Sequence, residues 1–340
     1  MKVLIIGDVH HGERSDCPKY NSHLLEFYDH VIEYAERHLI KTAVQLGDFF
    51  HHRNKIQVST LTHGIAGAKK LSEAFTDVYV LAGNHDLFYK DRLDTSSLAA
   101  LDAYVTVIDE PTTVGNMLLC PWIIDGEMWD AVCDASETHD YLLAHLELSG
   151  FKLNEAYVME HGFSHKELKG YDKVITGHYH SKQQKDNIYY TGTPLPITMN
   201  EANEDHGFFV LDTDTGDLEF VKYDKVKVVS ISYEDIETLE DFDPEYTTVR
   251  VEFPDTLDDE TLITDVQEYL KEKGFEGAKI KYKSQKVRQI LEASDEEVEE
   301  VEDIDAVVKA FLGGSFSVDG IEKERLVKYY DAAIKKGADL

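Results

Sequence analysis

Five segments that are predicted to form β-strands each end in residues that commonly bind divalent metal ions. The endings are Asp8-Val9-His10, Gly47-Asp48, Gly83-Asn84-His85-Asp86, His145 and Gly177-His178-Tyr179-His180. The candidate metal ligands among them are two carboxylates, one amide and four imidazoles: Asp8, His10, Asp48, Asn84, His145, His178 and His180. This donor set suits two borderline divalent ions, such as manganese, iron or zinc. Because the set contains no cysteine, it does not indicate a structural zinc site.

The spacing of these ligands suggests how they share the two ions. Asp8 and His10 lie two residues apart, as do His178 and His180, and such pairs project from the same face of a regular strand. The carboxylate and imidazole of the first pair, Asp8 and His10, could therefore grip one cation. Asp48 follows a glycine that allows a tight turn, and its carboxylate is predicted to bridge both ions with one oxygen to each.

Two adjacent ions are typical of enzymes that hydrolyse phosphoesters. They lower the pKa of a water molecule, neutralise charge in the transition state and clamp the phosphate for in-line attack. The departing oxygen then needs a proton donor, and we predict that His85 is that donor. Asp86 is predicted to accept a hydrogen bond from the His85 ring and to orient it. Of the two histidines that follow the Gly47-Asp48 turn, we predict that His51 contacts the phosphate. Four further histidines have no such context and are interpreted as surface residues: His11, His161, His165 and His206.

Alternating strand and helix patterns over residues 1–225 predict a layered α/β domain, with the ligands just past the carboxyl ends of strands. Apolar residues at helical spacing predict helices over Ser22–His38 and Ser59–Phe75. Late in this domain, residues 214–217 are predicted to form a hairpin turn between two strands.

Three further segments follow this domain. Residues 226–290 are predicted to form a small α+β module with the order strand, strand, helix, strand. Residues 291–305 are predicted to be an acidic linker, because positions 292–305 carry nine acids and no base. Residues 306–340 are predicted to form two helices, which are too short to be stable alone. From the pattern, this tail could dock on the chain itself or on a partner.

Composition limits the partners and the compartment. The net charge of −32 argues against unaided binding to a phosphate backbone, unless metal ions or a basic partner reverse the charge locally. The three cysteines are scattered and are interpreted as reduced thiols. No apolar run approaches the roughly 18 residues that a membrane span needs, and no secretory leader is evident. We therefore expect a cytoplasmic protein that does not bind membranes.

As a set, the five motifs resemble the pattern of the calcineurin-like metallophosphoesterases. That resemblance implies a four-layer α/β/β/α sandwich with a small α+β capping module and C-terminal helices. It also implies a ligand scheme. One metal ion would bind Asp8, His10, Asp48 and His180, and the other would bind Asp48, Asn84, His145 and His178.

Within that family the chain resembles the SbcD-type DNA repair and recombination nucleases, including phage exonuclease subunits. Gly47-Asp48-Phe49-Phe50-His51 is similar to the G-D-x-F-H motif of that branch, in which the histidine helps to place the DNA phosphate. Tyr190-Thr191-Gly192-Thr193-Pro194 is similar to its G-T/S-P segment. The resemblance implies a manganese-dependent nuclease, with magnesium, iron or zinc as alternatives, that acts on duplex DNA ends as a 3′–5′ exonuclease and cuts single strands as an endonuclease.

The same resemblance implies partners. The capping module would contact DNA, and the tail would bind an SMC-like ATPase of the SbcC type, which favours docking on a partner over docking on the chain itself. A homodimer is also compatible with it, and a phage-encoded protein would act in the host cytoplasm.

Other functions remain open at this stage. A phosphoprotein phosphatase would carry G-D-x-x-D-R-G, but Phe49-Phe50-His51-His52-Arg53-Asn54 follow Gly47-Asp48. A small-molecule phosphodiesterase or nucleotidase would need no partner-binding tail. A scaffold subunit that recruits the ATPase would not need the intact ligand set.

Overall fold

The computed structural model describes residues 1–154, 157–254, 260–275 and 277–281. The chain divides into two compact units, of which the first comprises residues 1–230 and 241–248. The second comprises residues 231–240 and the described residues from 249 onwards. The predicted acidic linker at 291–305 and the predicted helical tail at 306–340 lie outside the described residues.

The described residues of the first unit contain three right-handed α-helices, one short helical turn at Glu13–Asp16 with left-handed backbone angles, and sixteen complete strands. The helices are α1 (Pro18–His38), α2 (Val58–Ala74) and α3 (Gly126–Asp134). The strands are β1 (Lys2–Ile6), β2 (Thr42–Gln45), β3 (Asp77–Leu81), β4 (Thr106–Ile108), β5 (Thr112–Val114), β6 (Met117–Cys120), β7 (Tyr141–His145), β8 (Leu148–Ser149), β9 (Lys152–Asn154), β10 (Tyr157–Val158), β11 (Phe163–Ser164), β12 (Lys173–Gly177), β13 (Gln183–Lys185), β14 (Ile188–Tyr190), β15 (Gly207–Asp212) and β16 (Leu218–Lys222). Short 3₁₀ turns cover Ser97–Leu101, Ala135–Glu137, His165–Leu168 and Met199–Glu201.

Both long helices form where apolar periodicity predicts them. Helix α1 starts four residues earlier than predicted, because Pro18 occupies the first turn, where a missing N–H costs nothing. Its buried face includes Leu24, Phe27, Val31 and Ala35, which recur at helical spacing. Helix α2 agrees with the prediction to within one residue at each end.

The strands form two six-stranded mixed sheets. The first has the order β16-β15-β1-β2-β3-β4, in which β1 to β4 are parallel and β15 and β16 form the antiparallel hairpin predicted around residues 214–217. The second has the order β13-β14-β12-β7-β6-β5, in which β14, β12, β7 and β6 are parallel.

Alternate residues of the central strands enter different apolar layers. In β1, Val3 and Ile5 pack with residues of the second sheet, whereas Leu4 packs with residues of α1 and α2. In β7, Leu143 belongs to the same inter-sheet layer, whereas Leu142 packs with residues of α3. This alternation follows from the two-residue period of a strand, and each fully buried Leu or Ile contributes about 1.5–3 kcal/mol. The predicted four-layer α/β/β/α sandwich is therefore confirmed.

The second unit contains helix α4 (Glu260–Glu272) and strand β19 (Lys279–Lys281). Strands β17 (Lys227–Ser232) and β18 (Thr247–Glu252) begin in the first unit and end in the second. Within the second unit, β18 pairs in parallel with β19. The strand–strand–helix–strand order predicted for this region is thus present in its described part. No helix within the described ranges is both long enough and apolar enough to cross a membrane.

Candidate metal centre

His145 is the last residue of β7, and the other candidate ligands lie on the loops that follow β1, β2, β3 and β12. Strands β1, β2 and β3 are parallel neighbours in one sheet, and β7 and β12 are parallel neighbours in the other. Strand β1 ends at Ile6, so Asp8 and His10 lie beyond it, and the prediction that strand geometry aligns them is wrong. Instead, the His10 N–H donates to the Asp48 carbonyl oxygen at 3.0 Å, which joins the first two loops.

Three candidate ligands have left-handed backbone conformations. The φ angles are 46° at His10, 51° at Asp48 and 96° at His178. A non-glycine residue with positive φ is uncommon, and each such residue costs on the order of 1–3 kcal/mol unless its surroundings enforce it. Three of the nine non-glycine residues with positive φ in the described part of the chain are therefore predicted ligands.

Glycines next to the ligands leave no room for a side chain. A Cβ at Gly83 would lie 2.3 Å from Oδ1 of Asp48, and a Cβ at Gly177 would lie 2.2 Å from Oδ1 of Asp8. Real Cβ contacts are never this short, so any substitution would displace a carboxylate. Both glycines precede a predicted ligand. Gly83 lets two neighbouring loops of the first sheet approach each other, whereas Gly177 lets the end of β12 in the second sheet approach the loop after β1 in the first.

Asp8, His10 and His180 form the first ligand group, with one donor atom from each within 4.8 Å of the others. The Nε2 atoms of His10 and His180 are 3.1 Å apart. Oδ2 of Asp8 accepts the His178 N–H at 2.8 Å. Its Oδ1 is buried with no hydrogen-bond partner among the described residues. A buried carboxylate oxygen without a partner is costly, and a cation would satisfy it.

Asp48, His145 and His178 form the second ligand group. Nδ1 of His145 donates to the Leu46 carbonyl oxygen at 2.8 Å, which leaves Nε2 free to bind a metal ion. The amide oxygen of Asn84 lies 3.0 Å from Nε2 of His145 and 3.0 Å from Nδ1 of His178. Donor atoms of four residues, Asp48, Asn84, His145 and His178, thus converge on one possible ion position.

The carboxylate of Asp48 lies between the two groups. Its Oδ2 is 3.7 Å from Nε2 of His10 and 3.5 Å from Nε2 of His145. Its Oδ1 accepts the backbone N–H of His85 at 2.7 Å. Oδ2 therefore faces both groups, while Oδ1 accepts a backbone N–H, and the arrangement with one oxygen for each ion stays a prediction.

The electrostatics of the protein alone suit cation binding. Burial lowers the pKa of His178 to about 3 and also lowers the pKa of His10, so both rings are neutral ligands. Burial also lowers the pKa of His145, but the charges of Asp48 and Asp8 outweigh it and raise that pKa to about 9. Because metal ligands must be deprotonated, a cation would take the place of the His145 proton.

Burial and neighbouring charges also determine the pKa values of the carboxylates of Asp8 and Asp48. Burial raises the pKa of Asp8 well above its usual value, and this effect dominates. Burial raises the pKa of Asp48 as well, but the neighbouring His145 outweighs it and holds that pKa well below the usual range. Buried carboxylates, imidazoles and an amide oxygen converge here, and the protein supplies too few hydrogen-bond partners for them. The residues present therefore fit two divalent cations.

His85 lies at the edge of the centre, with its ring centroid 5.1 Å from that of His10. Its Nδ1 donates to the His51 carbonyl oxygen at 2.6 Å. Asp86 does not orient this ring, contrary to the prediction. Its fully buried carboxylate accepts the backbone N–H groups of Phe49, Phe50 and Gly83 at 3.0–3.2 Å. Burial raises the pKa of Asp86 to about 7, despite these three hydrogen bonds. Asp86 therefore ties the second loop to the third.

His51 lies on the open side of the centre. Its ring stacks on that of His85 at 5.5 Å between centroids and meets His10 edge-on at 5.3 Å. His10, His51 and His85 form a third group whose donor atoms lie within 4.8 Å of one another. His52, in contrast, points to Asp16 at 3.7 Å and is more exposed.

Sequence reasoning missed two acidic side chains near the centre, Glu13 and Glu201, and Arg53 also lies there. Oε2 of Glu13 lies 2.5 Å from Nδ1 of His51. Oε1 of the buried Glu201 lies 3.9 Å from Nδ1 of His180. The guanidinium of Arg53 donates to the Asn84 carbonyl oxygen at 2.5 Å. None of these pairs is close in sequence, so no motif could have indicated the two acids.

The interpretation of four histidines as surface residues is wrong for three of them. His11 is fully buried and pairs with the Tyr28 hydroxyl at 3.1 Å. His165 and His206 are also buried, and each ring pairs with a backbone carbonyl, that of Ser149 at 3.1 Å and that of Thr193 at 2.9 Å. His161 is exposed, as expected. Buried imidazoles paired with neutral oxygens are structural, and sequence context alone does not reveal them.

Comparison with known proteins gives one relative that spans nearly the whole chain. Exonuclease subunit 1 of Enterobacteria phage T4 is 28% identical over 342 residues, which cover 97% of each chain. The predicted resemblance to a phage exonuclease subunit is confirmed. Among solved structures, the Pseudomonas putida nuclease MPE matches with a TM-score of 0.31 and 17% identity, over 61% of this chain and 83% of that one. No protein-family model matches the chain.

Proposed function

We propose that this chain hydrolyses phosphodiester bonds in DNA at a two-metal centre. The observation that carries the proposal is the position of Asp48. One oxygen of this residue lies within 3.7 Å of an imidazole nitrogen in each of two ligand groups. A carboxylate shared by two groups of nitrogen and oxygen donors suits a pair of adjacent divalent ions, which we propose to be manganese.

Seven side chains would hold the two ions. One ion would bind Asp8, His10, Asp48 and His180, and the other would bind Asp48, Asn84, His145 and His178. When bound, such ions supply Lewis acidity that activates water and offsets the charge of the reacting phosphate. The left-handed turns at His10, Asp48 and His178 support this assignment, because strained backbone clusters at functional sites.

His85 would act as the proton donor. Water adds to phosphorus, the bond from phosphorus to the departing sugar oxygen breaks, and a proton from the His85 ring neutralises that oxygen. The His51 carbonyl oxygen accepts from Nδ1 of His85, so the ring is held with Nε2 as the nitrogen that transfers the proton. We propose that the His51 ring contacts the same phosphate.

The substrate class follows from the relative and from the residues around the centre. The relative that covers 97% of the chain is named an exonuclease subunit, which supports nuclease activity. From the resemblance to SbcD-type nucleases we further propose duplex DNA ends as the substrate and 3′–5′ exonuclease activity with single-strand cutting. The segment after Asp48 lacks the arginine signature of phosphoprotein phosphatases. A diester substrate therefore accounts for this site better than a phosphomonoester.

The test is hydrolysis by the full chain loaded with manganese. Linear duplex DNA labelled at either the 5′ or the 3′ end, circular single-stranded DNA and bis-p-nitrophenyl phosphate are offered in parallel. We expect the diester and linear DNA to be hydrolysed, with loss of activity in a chelator and recovery on adding manganese. Hydrolysis of the small diester without any DNA cleavage, even with a partner ATPase present, would instead support a small-molecule phosphodiesterase.

We also propose that the chain works with an SMC-like ATPase partner. The relative is named as a subunit, and the net charge of −32 favours a basic partner surface for DNA. Deletion of residues 301–340 should leave hydrolysis of the small diester intact and abolish co-purification with the ATPase. Retained co-purification would locate the partner surface elsewhere.

A further inference from the structure

We propose that Glu13 is a positioning residue for the reaction, because its carboxylate holds the His51 ring towards the bound phosphate. This inference rests on the proposed function of the centre and adds a residue that its motifs do not contain. Glu13 belongs neither to the D-x-H motif nor to the predicted ligands.

The contact between the two side chains is short and sheltered. Oε2 of Glu13 lies 2.5 Å from Nδ1 of His51, and the two side chains are 16% and 29% exposed. The two atoms are close enough for an ion pair, but the contact does not have hydrogen-bond geometry. The Glu13 carboxylate therefore favours the present ring orientation through its charge and its contact with Nδ1. Nε2 of His51 then remains as the ring nitrogen available to substrate.

The backbone of His51 is fixed independently. Its N–H donates to the His11 carbonyl oxygen at 2.9 Å, and its own carbonyl oxygen accepts from Nδ1 of His85 at 2.6 Å. Rotation of the side chain is therefore the remaining freedom of this residue. The rings of His10 and His85 restrict it on one side, and Glu13 is the charged group in contact with Nδ1. His51 therefore contacts Glu13 through its ring and the proposed proton donor, His85, through its carbonyl oxygen.

An unusual backbone places Glu13 beside His51. The φ angles of Arg14, Ser15 and Asp16 are 52°, 58° and 60°, so three successive non-glycine residues are left-handed. Left-handed residues normally occur singly, because each costs roughly 1–2 kcal/mol. A run of three is retained only where other contacts stabilise it.

Those contacts lie on both sides of the turn. The Arg14 guanidinium donates to the carbonyl oxygens of Pro196 and Ile197, each at 3.0 Å. On the opposite side, the Thr60 hydroxyl donates to the Asp16 carboxylate at 2.6 Å. The neighbours of Glu13 are therefore anchored, while Glu13 itself pairs with a ring of the centre. A turn built at this cost, with its acid against that ring, supports a functional role.

The experiment compares Glu13→Gln, His51→Ala and the double variant in the full chain with manganese. Glutamine keeps the shape of the side chain and removes its charge. We expect Glu13→Gln to lower kcat by about tenfold, the lower end of losses on removing the carboxylate partner of a functional histidine, with KM and metal content unchanged. Because Glu13 acts through His51, the double variant should be no slower than His51→Ala alone.

Asp186→Asn is the matched control. Asp186 also lies beside a histidine, with Oδ2 3.7 Å from Nε2 of His165, but neither residue belongs to the centre. This substitution makes the same change from acid to amide and should leave kcat unchanged. Thermal melting of every variant shows whether the fold is retained.

A second readout does not depend on activity. In the metal-free protein labelled with ¹⁵N-histidine, the His51 ring signals are those that disappear in His51→Ala. These signals should shift in Glu13→Gln and stay in place in Asp186→Asn. Unmoved His51 signals would show that the pair does not form in solution and would overturn the inference.

The remaining outcomes separate this inference from the proposed function. Full activity of Glu13→Gln, or single losses that multiply in the double variant, would overturn the role of Glu13 while the hydrolase proposal stands. A fall in bound metal in Glu13→Gln would make Glu13 a metal ligand and would also overturn its role as a positioning residue. A wild-type chain inactive on every ester would overturn the proposed function itself.

Discussion

The two halves of the metal centre are oriented by different means. In one half, the fully buried His145 ring is held by the Leu46 carbonyl oxygen at 2.8 Å. In the other half, Nδ1 of His10 has no hydrogen-bond partner among the described residues. There, His180 is 36% exposed and faces the Glu201 carboxylate at 3.9 Å.

A backbone carbonyl therefore orients the histidine of one half, whereas a side chain lies beside the histidine of the other half. The Leu46 carbonyl follows directly from strand β2, so the sheet itself sets the orientation of His145, and no substitution removes a carbonyl. Glu201 is a side chain that can be exchanged. The His10–His180 half should therefore respond more strongly to substitutions around the ligands, because partners beyond the ligands tune metal affinity.

The largest effect is expected for Asp48→Ala, which removes the oxygen common to both halves. Both ions should be lost, and hydrolysis should fall by at least about 10³-fold, since the ions contribute several kcal/mol to the transition state. Elemental analysis of the purified variant measures the metal content. His10→Ala is the control and should lose only the ion that His10 would bind. Two ions retained in Asp48→Ala would refute a shared ligand.

His85→Ala should slow hydrolysis without releasing the metal ion of either half. We expect hydrolysis to fall by about 10²–10⁴-fold, the usual contribution of a proton-transfer group, while both ions stay bound. Steady-state kinetics and elemental analysis on the same preparation measure the two quantities. If the ions left with the side chain, His85 would be a ligand and its role as donor would be excluded.

Glu201→Gln tests the difference between the halves directly. We expect the affinity for one ion to weaken by roughly 10–100-fold, while the affinity for the other stays the same. Glutamine keeps one oxygen for the Thr198 N–H of the capping box but leaves the Ile197 N–H without its acceptor, so thermal melting must show that the fold is retained. Manganese titration of the metal-free protein resolves the two steps. Glu33→Gln, on the exposed surface of α1, is the control. Equal weakening of both steps would contradict the comparison.

Metal binding should also stabilise the fold, by a smaller amount. Cations should compensate the charge of the buried carboxylates Asp8 and Asp48 in the folded protein. At a manganese concentration of 100 times the dissociation constant, binding raises the free energy of unfolding by about 2.7 kcal/mol for each site. The thermal midpoint should therefore rise by several degrees with manganese and fall again with a chelator. A midpoint independent of manganese would indicate that these carboxylates do not bind it.

The sequence predicted the layers and the meeting of the ligands, because apolar periodicity and the carboxyl ends of parallel strands follow general rules. It did not predict the turns that carry the ligands. His10 and Asp48 lie outside regular strands in left-handed conformations, and such strain depends on contacts from other segments. The alignment expected from strand geometry was wrong for that reason.

Neighbouring residues in the sequence also misled the prediction for Asp86. Its position next to His85 suggested a hydrogen bond to that ring. In the structure, three backbone N–H groups in the adjacent turns require an acceptor, and Asp86 supplies it. Glu13 and Glu201 could not be assigned from sequence, since their partners are 38 and 21 residues away and only the folded chain brings them together.

The glycines beside the ligands affect how distant homologues should be interpreted. A methyl group at Gly83 or Gly177 would occupy space that belongs to a carboxylate of Asp48 or Asp8. A homologue with alanine at either position could therefore retain all seven metal-binding side chains and still lack an assembled centre. A homologue should therefore be classified as active only if Gly83 and Gly177 are retained together with the metal-binding side chains.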